Sequence, residues 1–172
     1  MVPKIYMSKE KDCVFCREYN NDDMCIFYKN KYFFARYDKF PVSPGHTEIM
    51  PLRHIDSLDK LTQEEWNALF STIKTVKKKI GEDNVSGKLE EYYKSQIGDP
   101  VNEKSKYLCQ NMGLEHIGLG KLPDGENHGI NKGFAAGQSI FHLHWHIIPR
   151  YKGDVENPRG GVRNTIPGFG DY

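Results

Sequence analysis

The stretch that most constrains how this chain can fold is SIFHLHWHIIPRY, residues 139–151, where apolar and polar side chains alternate over more positions than anywhere else. Side chains two apart on a β-strand share a face, so the alternation predicts a strand. It sets His142, His144 and His146 on one face, with Phe141, Leu143, Trp145 and Ile147 turned toward the core. The residues leave three readings of that face open. It can be a polar surface that happens to use histidine. The three rings can hold one metal ion, since His-x-His is a familiar zinc or iron pair. Or one ring can be a nucleophile helped by its neighbours, because neutral imidazole attacks phosphorus well near pH 7.

Other segments bear on the choice. MCIFYKNKYFFARY (24–37) reads as two short strands around a turn at Asn30–Lys31. DKFPVSPGH (38–46) is a loop, and TEIMP (47–51) a short strand. LTQEEWNALFSTIKTVKKKIG (61–81) is the clearest helix, with Thr62 and Glu65 as a capping box. Trp66, Leu69, Phe70, Ile73, Val76 and Ile80 keep helical spacing, and a lysine cluster with Gly81 marks the end. GINKGFAAGQ (129–138) suggests a short strand running into a small-residue turn. There Gly137 allows close backbone approach, and Gln138 and Ser139 offer neutral donors, an assembly that suits phosphate oxygens better than a metal cage. Strands interleaved with one strong helix point to an α+β domain with a mainly antiparallel sheet.

The chain of 172 residues is read as one domain, 1–172, with an irregular Gly- and Pro-rich tail over 151–172. A net charge of +1 argues against a bulk pull toward nucleic acid or an acidic membrane. No apolar run reaches the roughly 18 residues of a membrane helix, and the first residues lack a signal-type stretch, so a cytoplasmic protein is expected. Cys13 and Cys16 form a Cys-x-x-Cys pair that leaves metal binding, redox exchange or no role open. Cys25 and Cys109 read as ordinary buried residues, His116 and His128 as solvated loop residues, and Lys77, Lys78 and Lys79 as a favourable helix end.

CVFC, YDKFPVSPGHTEIMPLRH, GINKGFAAGQSIFHLHWHIIPR and GDVENPRGGVR together resemble the histidine triad (HIT) superfamily of nucleotide hydrolases and transferases. The form of the C-terminal stretches is similar to bacterial-type members described as diadenosine polyphosphate hydrolases. The resemblance implies a HIT-like α+β fold with a five-stranded sheet and one long helix, a homodimer joined across the long helices, and a nucleotide substrate. It implies His144 as the nucleophile that takes the α-phosphoryl group, His146 at the phosphate and leaving group, and His46 as the supporting fourth histidine. It also implies Gln138 and Ser139 as phosphate contacts, Asn131 lining the same site, Asp38 at the ribose, and Phe15, Ile26 and Phe27 as base-pocket candidates. Cys13, Cys16, His54 and His142 match the ligands of a structural zinc; as the alternative, the cysteines are reduced spectators and His54 a surface residue. No catalytic metal is required on this reading. Arg159 and Arg163 are either polyphosphate contacts or surface residues.

The resemblance favours dinucleoside polyphosphate hydrolysis, with phosphoramidate hydrolysis and nucleotidyl transfer to an acceptor such as phosphate as the alternatives. A nucleotide-binding regulator with slight turnover is the reading from another class. The chain departs from the family in an insertion of residues at about 82–123, whose composition leaves a lid, a dimer contact and a restriction on the leaving group equally open.

Overall fold

The structure, a computed structural model, describes residues 12–21, 25–96, 117–166 and 170. Cys109 and His116 lie outside the described residues. Among those described, three α-helices, α1 (Val14–Asn20), α2 (Gln63–Val85) and α3 (Lys88–Gln96), accompany five strands. The strands are β1 (Ile26–Lys29), β2 (Phe33–Tyr37), β3 (Thr47–Pro51), β4 (Gly125–Gly129) and β5 (Trp145–Arg150). They form one five-stranded sheet in the order β1-β2-β3-β5-β4, the α+β architecture expected from the sequence. By compactness the chain divides into two units, one of Met1–Tyr37, Glu48–Lys77 and Ile130–Trp145, the other of Asp38–Thr47, Lys78–Gly129 and His146–Tyr172.

In the first unit, β1 and β2 form the expected antiparallel hairpin, pairing Ile26 with Arg36 and Lys29 with Phe34. Asn30 closes its turn: its Oδ1 accepts from the backbone amides of Tyr32 and Phe33, both at 2.8 Å. The core here is Cys13, Phe15, Phe34 and Met50, with Ile26, Tyr19 and Ile140 packed against it. Arg36 is buried between Glu18 and Glu48, its guanidinium lying 4.6 Å from the centre of the Phe15 ring. A buried guanidinium is tolerable because both carboxylates neutralise it, and they hold its pKa above the usual arginine value against the opposing effect of burial.

The capping box at the start of α2 is present in both directions. The Glu65 amide donates to Thr62 Oγ1 at 3.2 Å, and the Thr62 amide donates to Glu65 Oε2 at 2.8 Å. Glu65 also binds Arg53, whose Nε lies 2.8 Å from its Oε1. Glu65→Ala removes the cap and leaves Arg53 without this carboxylate, and should lower stability by about 1–2 kcal/mol in chemical denaturation. A loss below about 0.3 kcal/mol would contradict the capping role. The buried stripe of α2 runs through Leu69, Thr72, Val76 and Ile80, so Trp66 and Phe70 stand exposed, at 43% and 78%.

The second unit contains the end of α2, the α3 helix, and the β4–β5 pair. α2 continues past Gly81 to Val85, which corrects the reading of Gly81 as a stop. A Cβ at Gly81 would sit 3.0 Å from Leu122 Cδ2, so glycine serves close packing there. β4 is Gly125–Gly129 and not the 129–138 stretch, and it includes His128, read from the sequence as a loop residue. Five consecutive pairs with β5, from Gly125 with Arg150 to Gly129 with His146, fix its register. The sequence tail contains a short 3-10 turn at Gly161–Thr165.

Candidate active site

The sharpest departure from the sequence reading concerns the histidine run. The strand starts at Trp145, so His146 alone of the three histidines lies on it. His142, Leu143 and His144 are consecutive and all buried, at 0%, 3% and 6% exposure. Three consecutive buried residues are not the burial pattern of a strand with one face in water. Residues 139–144 form bends and irregular backbone, anchored where the Leu143 amide donates to the Ile55 carbonyl. The histidines consequently serve different partners.

His142 belongs to a cysteine–histidine cluster. Its Nδ1 lies 3.5 Å from the Sγ of Cys13 and 3.5 Å from that of Cys16. Cys16 Sγ is 3.4 Å from His54 Nδ1, and the four ligand-type atoms lie within 4.8 Å of one another. Zinc bonds of about 2.3 Å to sulfur and about 2.05 Å to nitrogen, at tetrahedral angles, give a sulfur–nitrogen edge of about 3.5 Å. The three observed sulfur–nitrogen separations match that edge, so the donor set and its spacing fit a closed tetrahedral ion. His142 Nε2 donates to the Pro51 carbonyl at 2.9 Å, which orients the ring and leaves Nδ1 as the ligand atom. Burial pushes the His142 pKa down to about 4, so the ring is neutral at pH 7, as ligation requires.

His144 is fixed differently. Its Nδ1 is 2.7 Å from the His142 carbonyl oxygen. A carbonyl only accepts, so Nδ1 carries the proton and Nε2 of the neutral ring presents a lone pair. Phe15 lies edge-on to His144 and to His142, at centroid distances of 5.3 and 5.9 Å. Phe15, a base-pocket candidate in the sequence, is fully buried and serves as a wedge behind the two rings. Nothing in the sequence pattern singled out Arg36, which covers the Phe15 ring.

His46 and His146 form a second group together with Asp38. His46 Nε2 is 3.0 Å from His146 Nδ1, and Asp38 Oδ2 is 3.4 Å from His46 Nδ1. The Val42 amide donates to His46 Nδ1 at 3.3 Å. His46 Nδ1 thus faces the Asp38 carboxylate and the Val42 amide, and its Nε2 faces His146 Nδ1. Asp38 also accepts from the Phe40 amide at 2.8 Å, so its carboxylate braces the loop besides facing His46.

The remaining sequence candidates are distributed as follows. Gln138 is buried: its Oε1 accepts from Gly133 at 2.8 Å and its Nε2 donates to the Asp56 carbonyl at 3.0 Å, holding the 133–138 turn. Ser139 is exposed and Asn131 partly so. Phe27 stacks on Tyr37 at 4.2 Å, and Ile26 packs on the core. Arg159 and Arg163 are exposed on the tail.

A family profile for the HIT domain matches residues 20–153. The chain belongs to the HIT family. An uncharacterised HIT-like protein of Methanocaldococcus jannaschii is 29% identical over 89% of this HIT protein and 91% of its own length. A bis(5'-adenosyl)-triphosphatase of Saccharomyces cerevisiae is 32% identical, over 74% of this chain and 44% of the yeast protein. Among solved structures, a HIT family protein from Bacillus subtilis aligns with a TM-score of 0.56 and 25% identity, over 83% of this chain and 76% of that one. A zinc-bound histidine triad family protein from Mycobacterium smegmatis aligns with a TM-score of 0.51 and 25% identity, over 85% and 80%.

Proposed function

We propose that this HIT protein is a nucleotide hydrolase that cleaves dinucleoside polyphosphates at the α-phosphate, through a nucleotide carried covalently on His144. The observation that carries the reading is the fixed tautomer of His144, whose Nδ1–H is held by a carbonyl while Nε2 keeps its lone pair. The likeness to the yeast triphosphatase supports the substrate class.

In the first step the Nε2 lone pair bonds to the α-phosphorus. The bond from that phosphorus to the bridging oxygen breaks, and its electron pair leaves with the departing nucleotide. His146, one residue beyond Trp145 in the chain, is assigned to hydrogen-bond that oxygen through its other ring nitrogen, Nε2, with His46 at its Nδ1. The ring of nucleotidyl-His144 is an imidazolium, and the His142 carbonyl stabilises its Nδ1–H. In the second step water adds to phosphorus, the phosphorus–nitrogen bond breaks, and its electron pair returns to Nε2. The water proton passes to solvent, and a nucleoside monophosphate is released. Two modest barriers replace one high one. Asn131 and Ser139 are assigned to phosphate oxygens, with Gln138 holding the turn just before Ser139, Asp38 to the ribose, and Ile26 and Phe27 to the base.

We further assign a structural zinc to Cys13, Cys16, His54 and His142, supported by the tetrahedral spacing and by the zinc-bound mycobacterial relative. When bound, the ion would supply a closed structural tie and no reacting site. Thiolate ligands persist in a reducing compartment, so the reading is of a cytoplasmic enzyme; no helix of the described residues is long and apolar enough to cross a membrane. Exposed Trp66 and Phe70 on α2 support a homodimer through that helix. Phe70→Asp should convert a dimer to a monomer in light scattering, and a variant that stays dimeric would exclude this contact.

Turnover of a diadenosine polyphosphate, with and without added phosphate, beside an adenosine phosphoramidate tests the substrate class. The proposal expects faster cleavage of the dinucleotide, with a nucleoside monophosphate as one product whether or not phosphate is present. Preferred cleavage of the phosphoramidate, or a phosphate-dependent nucleoside diphosphate product, would contradict it.

A further inference from the structure

We infer that the insertion braces the turn that carries His46, and that Tyr93 and Tyr151 are positioning residues which hold His46 against His146. The inference deepens the proposed reaction and rests on the role given there to His46.

Ser43, Pro44, Gly45 and His46 make a type II turn. Proline stands at its second position, Gly45 at its third has φ +82°, and the His46 amide donates to the Ser43 carbonyl at 3.0 Å. The peptide unit between Pro44 and Gly45 is the part of such a turn that can rotate, and rotation converts type II into type I. Here both edges of that unit are held. The Gly45 N–H donates to Tyr93 Oη at 2.8 Å, and the Pro44 carbonyl accepts from Tyr151 Oη at 3.0 Å. One hydroxyl reads the amide and the other the carbonyl, so both bonds form in only one orientation of the peptide plane. The turn is also packed tightly: a Cβ at Gly45 would lie 2.7 Å from Ile80 Cγ2 and 3.2 Å from Pro149 Cγ.

Both tyrosines are set by the insertion. Tyr93 is on α3, nearly buried at 8%. Tyr151 is located by Asn84 at the end of α2, whose Nδ2 is 2.9 Å from its hydroxyl and 2.8 Å from the carbonyls of both Gly118 and Lys121. Asn84 Oδ1 accepts from the Gly120 amide at 3.1 Å. The backbone at Gly118 lies on the Tyr151 ring, where a Cβ would come within 2.4 Å. Burial pushes the Tyr151 hydroxyl up to about 12, so it remains a donor at every working pH. His46 follows the braced peptide directly, and its ring has to meet His146 Nδ1 at 3.0 Å. A small rotation at Gly45 would break that contact.

Tyr93→Phe and Tyr151→Phe each remove one hydroxyl and keep the ring. The full-length variants, single and double, are compared with wild type by the nitrogen-15 and proton signals of the histidine rings and by steady-state turnover of a diadenosine polyphosphate. The His46 ring signals should move in each variant while those of His142 stay in place. kcat should fall about fivefold per hydroxyl, the factor set by one hydrogen bond, with KM within about twofold. Unmoved His46 signals in both single variants would overturn the inference, and so would wild-type kcat in both. If the double variant does not fold, the single variants carry the same comparison. A wild type without dinucleotide turnover sinks the proposed reaction, whereas the ring signals still decide whether the brace exists.

Discussion

His144→Ala is expected to lower turnover of a dinucleoside polyphosphate by at least about a thousandfold, because the group that forms the covalent bond is gone. Adenosine monophosphate should still bind within a few-fold of wild type, since His144 contributes a lone pair and little recognition. The variant should also fold. The ring is 6% exposed and lies against the His142 carbonyl, so removal leaves a small cavity and an unsatisfied acceptor. The loss should appear in kcat with KM little changed, as expected for a group that acts only in the chemical step. Removing His146 or His46 should cost less, because neither forms a bond to phosphorus. A His144→Ala protein with near-wild-type turnover excludes the nucleophile, and one that loses nucleotide binding instead assigns His144 to recognition.

Removal of zinc should have the second largest effect, and on stability more than on chemistry. Cys13 and Cys16 sit at the start of α1, His54 follows β3, and His142 lies shortly before β5, so a bound ion would tie together three segments distant in sequence. Metal analysis of protein purified without chelator should give about one zinc per chain, falling to near zero in Cys16→Ser. Chelation at elevated temperature, or Cys16→Ser, should lower the melting temperature by 10 °C or more, on the order of several kcal/mol, because ligation free energy is folding free energy. kcat of the protein that remains folded should fall less than tenfold, since no step uses the ion. Wild type without zinc and without a chelator-sensitive melting temperature would exclude the site. A complete loss of chemistry in fully folded, zinc-free protein would move the ion into the mechanism.

What the sequence revealed followed the range of the interactions involved. The hairpin around Asn30, the strand at 47–51 and the capping box of Thr62 and Glu65 rest on neighbours in the chain, and they are where the local pattern puts them. The HIT motifs located the histidines, but the strand is shorter than the alternation predicts: it starts at Trp145, and residues 139–144 are bends and irregular backbone. Gly81 looked like a helix end and is a packing site against Leu122, which no local signal reveals. β4 has the weak strand sequence GENHG and exists through its pairing with β5. The wiring of His46 was hidden for the same reason. Val42 acts through its backbone amide, and Tyr93 and Tyr151 lie 47 and 105 positions from His46 (93 − 46 and 151 − 46).

The central claim is that Nε2 of His144 bonds to the α-phosphorus during turnover, and rapid acid-free quenching followed by peptide mass spectrometry tests it most directly. With a diadenosine polyphosphate as substrate, the account predicts an added nucleoside monophosphate on the peptide carrying His144, appearing within one turnover and absent from His144→Ala. An active enzyme that never carries the nucleotide there, or carries it on His46 or His146, would contradict it.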